Sequence, residues 1–231
     1  MQATEAPSAA KPCCDCRVLE FLDSSIGKKV MVALAGILLC GFLVTHLAGN
    51  LLLFVGGPAF DHYAELLEAN PLIPVAEAGL VVLFLLHIAL SVRAKLANNA
   101  ARPVAYAYGA DKGARTPGSR TMTVSGSLIL VFLIVHVLTV KYRVGGSRGP
   151  DLFAHLMGWF ADPLYSGFYV LALVGVGLHL SHGFQSAFQT LGVNHPRYTP
   201  LIKKLGLAFA LIVGLTFASM PIYFGFLGGA K

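Results

Sequence analysis

Residues 30–55 read VMVALAGILLCGFLVTHLAGNLLLFV, an apolar run that contains no charged side chain and one histidine, His46. A run of this length can cross the hydrocarbon core of a bilayer as a single α-helix. Four further apolar runs follow, and we predict spans at about residues 30–55, 72–96, 122–140, 164–191 and 205–227. The sequence therefore predicts an all-α integral membrane protein with five transmembrane helices.

The overall composition supports a membrane protein. Hydrophobic residues make up 56% of the chain, charged residues make up 12%, and the mean hydropathy is +0.71. A soluble domain carries roughly a quarter charged residues. The net charge of +6 could suggest nucleic acid, but the basic residues flank the apolar runs, as they do in membrane proteins. We therefore predict membrane lipid, and no nucleic acid, as a partner.

The distribution of basic residues predicts the orientation. Thirteen of the seventeen Lys and Arg residues lie before the first span or in the second-to-third and fourth-to-fifth loops. By the positive-inside rule, the N-terminus is cytoplasmic and the C-terminus lies outside. We divide the chain into a mobile cytoplasmic tail, residues 1–23, and a five-helix domain, residues 24–231. The start of the tail, residues 1–17, has no apolar core, so we expect no secretory signal there.

The tail also contains three clustered cysteines. Cys13, Cys14 and Cys16 could bind a metal only with a fourth ligand close by. Exposed thiols on a mobile tail are the favoured interpretation. Cys40 lies inside the first span, where we expect it in the core.

Four of the five spans contain an intramembrane histidine, and their depths match. His46, His87, His136 and His179 each lie 14 to 16 residues past the start of the predicted span. Because successive helices run in opposite directions, His46 and His136 fall in the outer half and His87 and His179 in the inner half. At 1.5 Å per residue the two levels lie about 12–18 Å apart. We call them the outer pair and the inner pair, and predict that each holds one b-type haem through bis-histidine ligation.

Alternatives exist for several of these residues. A single intramembrane histidine commonly makes an interhelical hydrogen bond, but four at two shared depths favour haem ligation. His182 lies on much the same helix face as His179, and spacing alone does not separate them. Small residues near the ligands could open a slot for the porphyrin, or could simply let helices pack closely; they include Gly49, Ala89, Ser91, Gly175 and Gly183. The remaining histidines in predicted loops, His62, His155 and His195, are expected to be solvated.

From Ser24 onward, the chain resembles the single-chain, dihaem cytochrome b membrane-anchor subunit of succinate dehydrogenases and fumarate reductases. The segments that carry the resemblance are SSIGKK at 24–29, THLAGN at 45–50, SRTM at 119–122 and HLSHGFQSAFQTLGVNHPRY at 179–198. In that family, glycines follow the fourth ligand by four and by thirteen residues. Gly183 and Gly192 match His179 in this way, whereas His182 has no such match. The resemblance therefore assigns the fourth ligand to His179 and implies the same pairing, first with third and second with fourth.

The resemblance also implies a function. The first four spans would form a haem-binding bundle with two haems b in the cell inner (cytoplasmic) membrane. The chain would anchor a flavoprotein subunit and an iron–sulfur subunit, and FAD and the iron–sulfur clusters would belong to those partners only. Electrons would pass between the iron–sulfur subunit and membrane quinone, with menaquinone expected in dihaem members. Succinate chemistry would take place in the partner, and a higher oligomer remains open.

Polar residues near the predicted membrane surfaces provide second-tier candidates. Arg93, Lys95, Ser119 and Arg120 cluster by prediction on the cytoplasmic side, where they could bind the inner haem propionates or serve as ordinary positive-inside anchors. The same two interpretations apply to Lys28 and Lys29, and docking of the iron–sulfur partner is a third. A quinone site at the outer end could use Asp61, Glu65 or Glu77 as a proton source, although plain loop or helix-end acids are the simpler interpretation.

Two other functions remain to be weighed. The first is the dihaem cytochrome b subunit of another respiratory oxidoreductase, of the hydrogenase or formate dehydrogenase type, which the segment at 179–198 disfavours. The second is a haem-free transporter. Transporters commonly show internal repeats and broken midplane helices, and we find no convincing repeat in the sequence.

Overall fold

The computed structural model describes residues 20–101, 116–145 and 151–229, and within these ranges no residue lies in a β-strand. The cysteine cluster and most of the predicted tail lie outside the described residues. The helices are α1 (Ser25–Asn50, continued by a 3₁₀ turn Leu51–Phe54), α2 (Gly57–Glu68), α3 (Ile73–Ala100), α4 (Pro117–His136, continued by a π turn Val137–Lys141), α5 (Leu152–Phe160), α6 (Pro163–Thr190) and α7 (Thr199–Pro221, continued by a π turn Ile222–Phe226).

Among the described residues, five helices are long and apolar enough to cross a membrane: α1, α3, α4, α6 and α7. This confirms the predicted all-α architecture with five spans. Three of them begin five or six residues earlier than predicted, because polar residues cap or start them. The Ser24 hydroxyl accepts a hydrogen bond from the Gly27 amide at 2.9 Å, and the Thr116 hydroxyl accepts one from Ser119 at 3.2 Å. Side-chain caps of this kind satisfy amides that have no partner in the first helical turn.

Helix α6 is the centre of the bundle. It contributes nine buried residues and packs on α4, α7 and α1. Helix α3 contributes one, Leu90, and packs mainly on α1, so most of its surface is left for lipid. Helices α6 and α7 lie close together at two glycines: a Cβ on Gly214 would lie 3.3 Å from the Gly177 Cα. Small residues at such crossings let membrane helices pack through their backbones.

Two short helices cover the predicted outer end of the bundle, where we expected loops. Helix α2 contacts α5 there, and the Asp61 carboxylate accepts a hydrogen bond from the Phe153 amide at 2.8 Å. Both π turns also lie at this end, directly after His136 and after Pro221. A π turn opens the hydrogen-bond ladder of a helix and is frequent at functional sites.

Candidate haem site

The structure brings the four intramembrane histidines together in two pairs. In the outer pair, the ring centres of His46 on α1 and His136 at the end of α4 lie 5.9 Å apart, with an 87° angle between the ring planes. In the inner pair, the ring centres of His87 on α3 and His179 on α6 lie 6.4 Å apart, with a 67° angle. Each pair therefore joins two helices that are not neighbours in sequence.

These distances suit one metal ion between the two rings of each pair. Metal–imidazole nitrogen bonds are about 2 Å long, so two imidazoles on opposite sides of one metal place their ring centres about 6 Å apart. The described residues contain no group of three or more His, Cys, Asp or Glu side chains arranged around a metal ion. The donor set is thus two imidazoles per level, which fits a haem iron, because its other four ligands come from the porphyrin.

Within the described ranges, all four rings make their hydrogen-bond contacts through Nδ1. The Nδ1 of His87 lies 3.3 Å from the Val32 carbonyl oxygen, which can only accept, so this nitrogen carries the proton. The Nδ1 of His179 lies 3.4 Å from the Ser125 hydroxyl, which itself donates to the Met122 carbonyl. A histidine protonated at Nδ1 presents the lone pair of Nε2, the form that binds a metal.

The two outer rings differ from each other in the group that lies beside Nδ1. The Nδ1 of His136 lies 3.1 Å from the Tyr169 hydroxyl. The Nδ1 of His46 lies 3.4 Å from the side-chain amide nitrogen of Asn50, which donates to the His46 carbonyl at 2.8 Å. Three of the four rings therefore have an acceptor beside Nδ1, and His46 has an amide donor there.

The two pairs also have different neighbours. Phe42 and Phe132 stack on His46 and His136, with ring centres 5.1 and 5.4 Å apart. At the inner level, glycines lie beside the ligand rings. A Cβ on Gly36 would lie 3.5 Å from the Cε1 of His87, and a Cβ on Gly126 would lie 3.5 Å from the Cε1 of His179.

These neighbours belong to a short segment that α1 and α4 share, which we call the internal repeat; it is far shorter than the multi-helix repeats of transporters. Residues 36–46 read GILLCGFLVTH and residues 126–136 read GSLILVFLIVH, with glycine, phenylalanine and histidine at matching positions. Each glycine faces the inner pair and each phenylalanine packs on an outer ligand. Glycine and histidine are ten residues apart in both copies, which separates the two levels by about 15 Å at 1.5 Å per residue. The repeat therefore belongs to the histidine pairs and supplies no argument for a transporter.

The three glycines among the predicted small residues do not open onto a slot. A Cβ on Gly49 would meet the Tyr63 ring at 2.6 Å, and one on Gly175 would meet the Leu128 side chain at 2.9 Å. A Cβ on Gly183 would lie 3.6 Å from the Met122 Cε. These three glycines accommodate protein side chains, as in ordinary close packing of membrane helices.

The other four histidines of the chain lie outside the two pairs. His182 lies against the start of α4, where a Cβ on Gly118 would be 3.1 Å from its Cβ. It is His179 whose ring faces His87. His155 was expected to be solvated, and this is wrong: it lies in α5, is fully buried, and its Nε2 is 2.7 Å from the Thr139 carbonyl oxygen in the π turn. His62 and His195 are exposed, as predicted.

The second-tier residues lie near the ends of the spans. Arg93 and Lys95 are exposed near the end of α3, and Ser119 and Arg120 lie in the first turn of α4. The Ser119 hydroxyl donates to the Thr116 carbonyl at 2.9 Å. At the same predicted end, the Nζ of Lys28 lies 2.7 Å from a carboxylate oxygen of Asp23. This hydrogen bond, together with the lysine charge, lowers the pKa of the Asp23 carboxyl.

The quinone candidates divide into two locations. Asp61 and Glu65 line a cavity of about 360 Å³ between α2 and the start of α5, together with His62, Asp151 and Phe153. Glu77 forms an ion pair with Lys141, which joins the start of α3 to the π turn after α4. The three carboxylates therefore do not share one site.

The fold defines the class of protein: an all-helical, multi-pass membrane protein. The family model of the succinate dehydrogenase/fumarate reductase transmembrane subunit matches residues 95–218. The chain belongs to this family, and it is a membrane-anchor subunit of the succinate dehydrogenase/fumarate reductase complex. No curated protein and no solved structure matches the chain. The matched residues include His136 and His179, whereas His46 and His87 lie before them.

Proposed function

We propose that this chain is a dihaem cytochrome b that passes electrons between the iron–sulfur subunit of its complex and membrane quinone. In this proposal His46 and His136 hold the outer haem, and His87 and His179 hold the inner haem. The N-terminus and the inner pair lie on the cytoplasmic side of the inner membrane, where the flavoprotein and iron–sulfur subunits dock. FAD and the iron–sulfur clusters belong to those subunits.

The observation that carries the proposal is the presence of two imidazole pairs with ring centres 5.9 and 6.4 Å apart. The internal repeat extends support to the part of the chain before the family match. Each repeat copy carries one outer ligand and the glycine that faces the inner pair, so His46 is equivalent to His136. The family match includes two of the four histidines, His136 and His179, and the pair geometry supports all four.

The residues of the chain hold and orient the haems. The Nε2 atoms of the four histidines would bind iron, while Val32, Ser125 and Tyr169 fix Nδ1 of three of the rings. Bound haem b would supply one-electron redox chemistry. Quinone, for which menaquinone is our proposal, would bind at the outer end, where the candidate proton donors Asp61 and Glu65 line a cavity.

The first test is the haem content of the purified complex. We expect two haems b per chain by the pyridine haemochrome assay, and a partner subunit that carries covalent FAD. A preparation with no b-type absorption would overturn the haem proposal. A complex whose partner holds nickel or molybdopterin would refute the proposed electron donor.

A second measurement tests the orientation. We propose that single-cysteine variants in the fourth-to-fifth loop react with a membrane-impermeant maleimide only when the cytoplasmic face is open, as in inverted vesicles. Arg197 is a suitable position because its side chain is exposed. Labelling of Arg197→Cys in intact cells would contradict the proposed orientation.

A further inference from the structure

A chain of three hydroxyl groups connects His136 to the backbone of its own helix. The Tyr169 hydroxyl lies 3.1 Å from the His136 Nδ1 and 2.6 Å from the Tyr165 hydroxyl. The Tyr165 hydroxyl lies 2.8 Å from the Thr139 Oγ1, which donates to the Val135 carbonyl at 2.8 Å. The chain thus begins at a proposed haem ligand and ends at the residue before it.

All three hydroxyls are buried in the protein. The exposed fractions of Tyr165, Tyr169 and Thr139 are 7%, 5% and 7%. Phe132 and Phe160 pack edge-on against the Tyr169 ring, and Trp159 stacks on Tyr165. A buried hydroxyl without a partner is destabilising, so the network ties the side chains of α6 to the position of the His136 ring.

The donor order in this network is linked to the tautomer of His136. If Tyr165 donates to Tyr169, the Tyr169 proton is left for the Nδ1 of His136. A ring that binds metal through Nε2 carries its proton on Nδ1, and this N–H donates to Tyr169 instead. Tyr169 then donates to Tyr165 and Tyr165 to Thr139, since a hydroxyl is both donor and acceptor. The Thr139 hydroxyl still donates to the Val135 carbonyl, so no buried hydroxyl loses its partner.

We propose that Tyr169, supported by Tyr165 and Thr139, is a positioning residue that holds the Nδ1 proton of His136 and lowers the redox potential of the outer haem. This inference rests on the proposed function. An acceptor beside Nδ1–H makes the imidazole a more basic ligand, which stabilises ferric over ferrous iron. His179 has a different acceptor, Ser125, from another helix, so the two haems can be tuned separately.

The test is a redox titration of Tyr169→Phe in the intact complex, which removes the hydroxyl and keeps the ring. We expect both haems to stay bound and the ferric-to-ferrous ratio of the outer haem to fall about two- to tenfold at a fixed applied potential, the range that one hydrogen bond contributes. The inner haem should titrate as in the unmodified complex. His46→Ala, which should lack the outer haem, identifies the outer wave of the titration.

Ser125→Ala is the matched control, because it removes the Nδ1 acceptor of His179 and leaves the outer pair untouched. It should shift the inner wave upward and leave the outer wave unchanged. If Tyr169→Phe does not accumulate, Tyr165→Phe replaces it, with a smaller upward shift of the same wave. Two bound haems with an unchanged outer wave would overturn this inference alone, whereas absence of haem from the unmodified complex would overturn the proposed function.

Discussion

The outer and inner histidine pairs differ in what holds their rings. The outer rings lie among aromatic side chains and, for His136, against the hydroxyl of Tyr169, which comes from another helix. The inner rings lie against glycines, and the His87 Nδ1 meets a backbone carbonyl of α1. The outer level therefore depends mainly on aromatic and hydroxyl side chains, whereas the inner level depends mainly on how closely the helix backbones approach. Mutations should affect the two levels in different ways.

Removal of single ligands should have the largest effect. We expect His46→Ala or His136→Ala to lose the outer haem, and His87→Ala or His179→Ala to lose the inner haem, since one imidazole cannot maintain bis-histidine ligation. The haem content should fall from two to one per chain by the pyridine haemochrome assay, and reduced-minus-oxidised spectra should identify the remaining haem.

His182→Ala is the control for this series, and it should retain both haems. Loss of a haem from His182→Ala, with retention of both in His179→Ala, would show that the fourth ligand is assigned to the wrong residue.

Two glycine substitutions should weaken opposite ends of the bundle. A Cβ on Gly118 would lie 2.9 Å from the Leu178 carbonyl oxygen, next to His179, and a Cβ on Gly225 would lie 2.9 Å from the Phe160 carbonyl oxygen. Because backbone atoms cannot move aside easily, we expect Gly118→Ala and Gly225→Ala each to cost about 1–3 kcal/mol. On heating in detergent, Gly118→Ala should lose the inner haem first and Gly225→Ala the outer haem first, as measured by absorption.

Gly79→Ala provides the matched control, because nothing lies within 4 Å of its added Cβ. Its unfolding temperature should equal or exceed that of the unmodified protein, since alanine has the higher helix propensity. Loss of the same haem first in both clashing variants would contradict the separation of the two levels.

Hydropathy and helix periodicity predicted the five spans and the two histidine levels. Both depend on position along a single helix, which the sequence contains directly. The helix starts at Ser25 and Pro117 were missed because polar caps lie outside an apolar run. The repeat at residues 36–46 and 126–136 was present in the sequence, and comparison of Gly, Phe and His at one spacing could have found it.

The partners of the ligand rings could not be predicted. Tyr169 reaches His136 from another helix, and this contact depends on how α4 and α6 rotate against each other. His155 was missed for a related reason: α5 has nine residues, too few to be recognised as a span, yet it packs its histidine against the π turn of α4. Burial of a polar group in this way is decided by tertiary structure.

The smallest expected effect concerns the ion pair between Glu77 and Lys141, which joins α3 to α4 beside the outer pair. Both side chains are about half exposed, at 45% and 49%, and such pairs contribute about 0–1 kcal/mol. We expect Lys141→Met to lower the unfolding free energy by less than about 1 kcal/mol and to leave two haems per chain. A double-mutant cycle with Glu77→Gln measures the coupling between them. Loss of the outer haem from Lys141→Met would mean that this ion pair closes the outer site, and that the outer level depends on charge as well as on its aromatic and hydroxyl side chains.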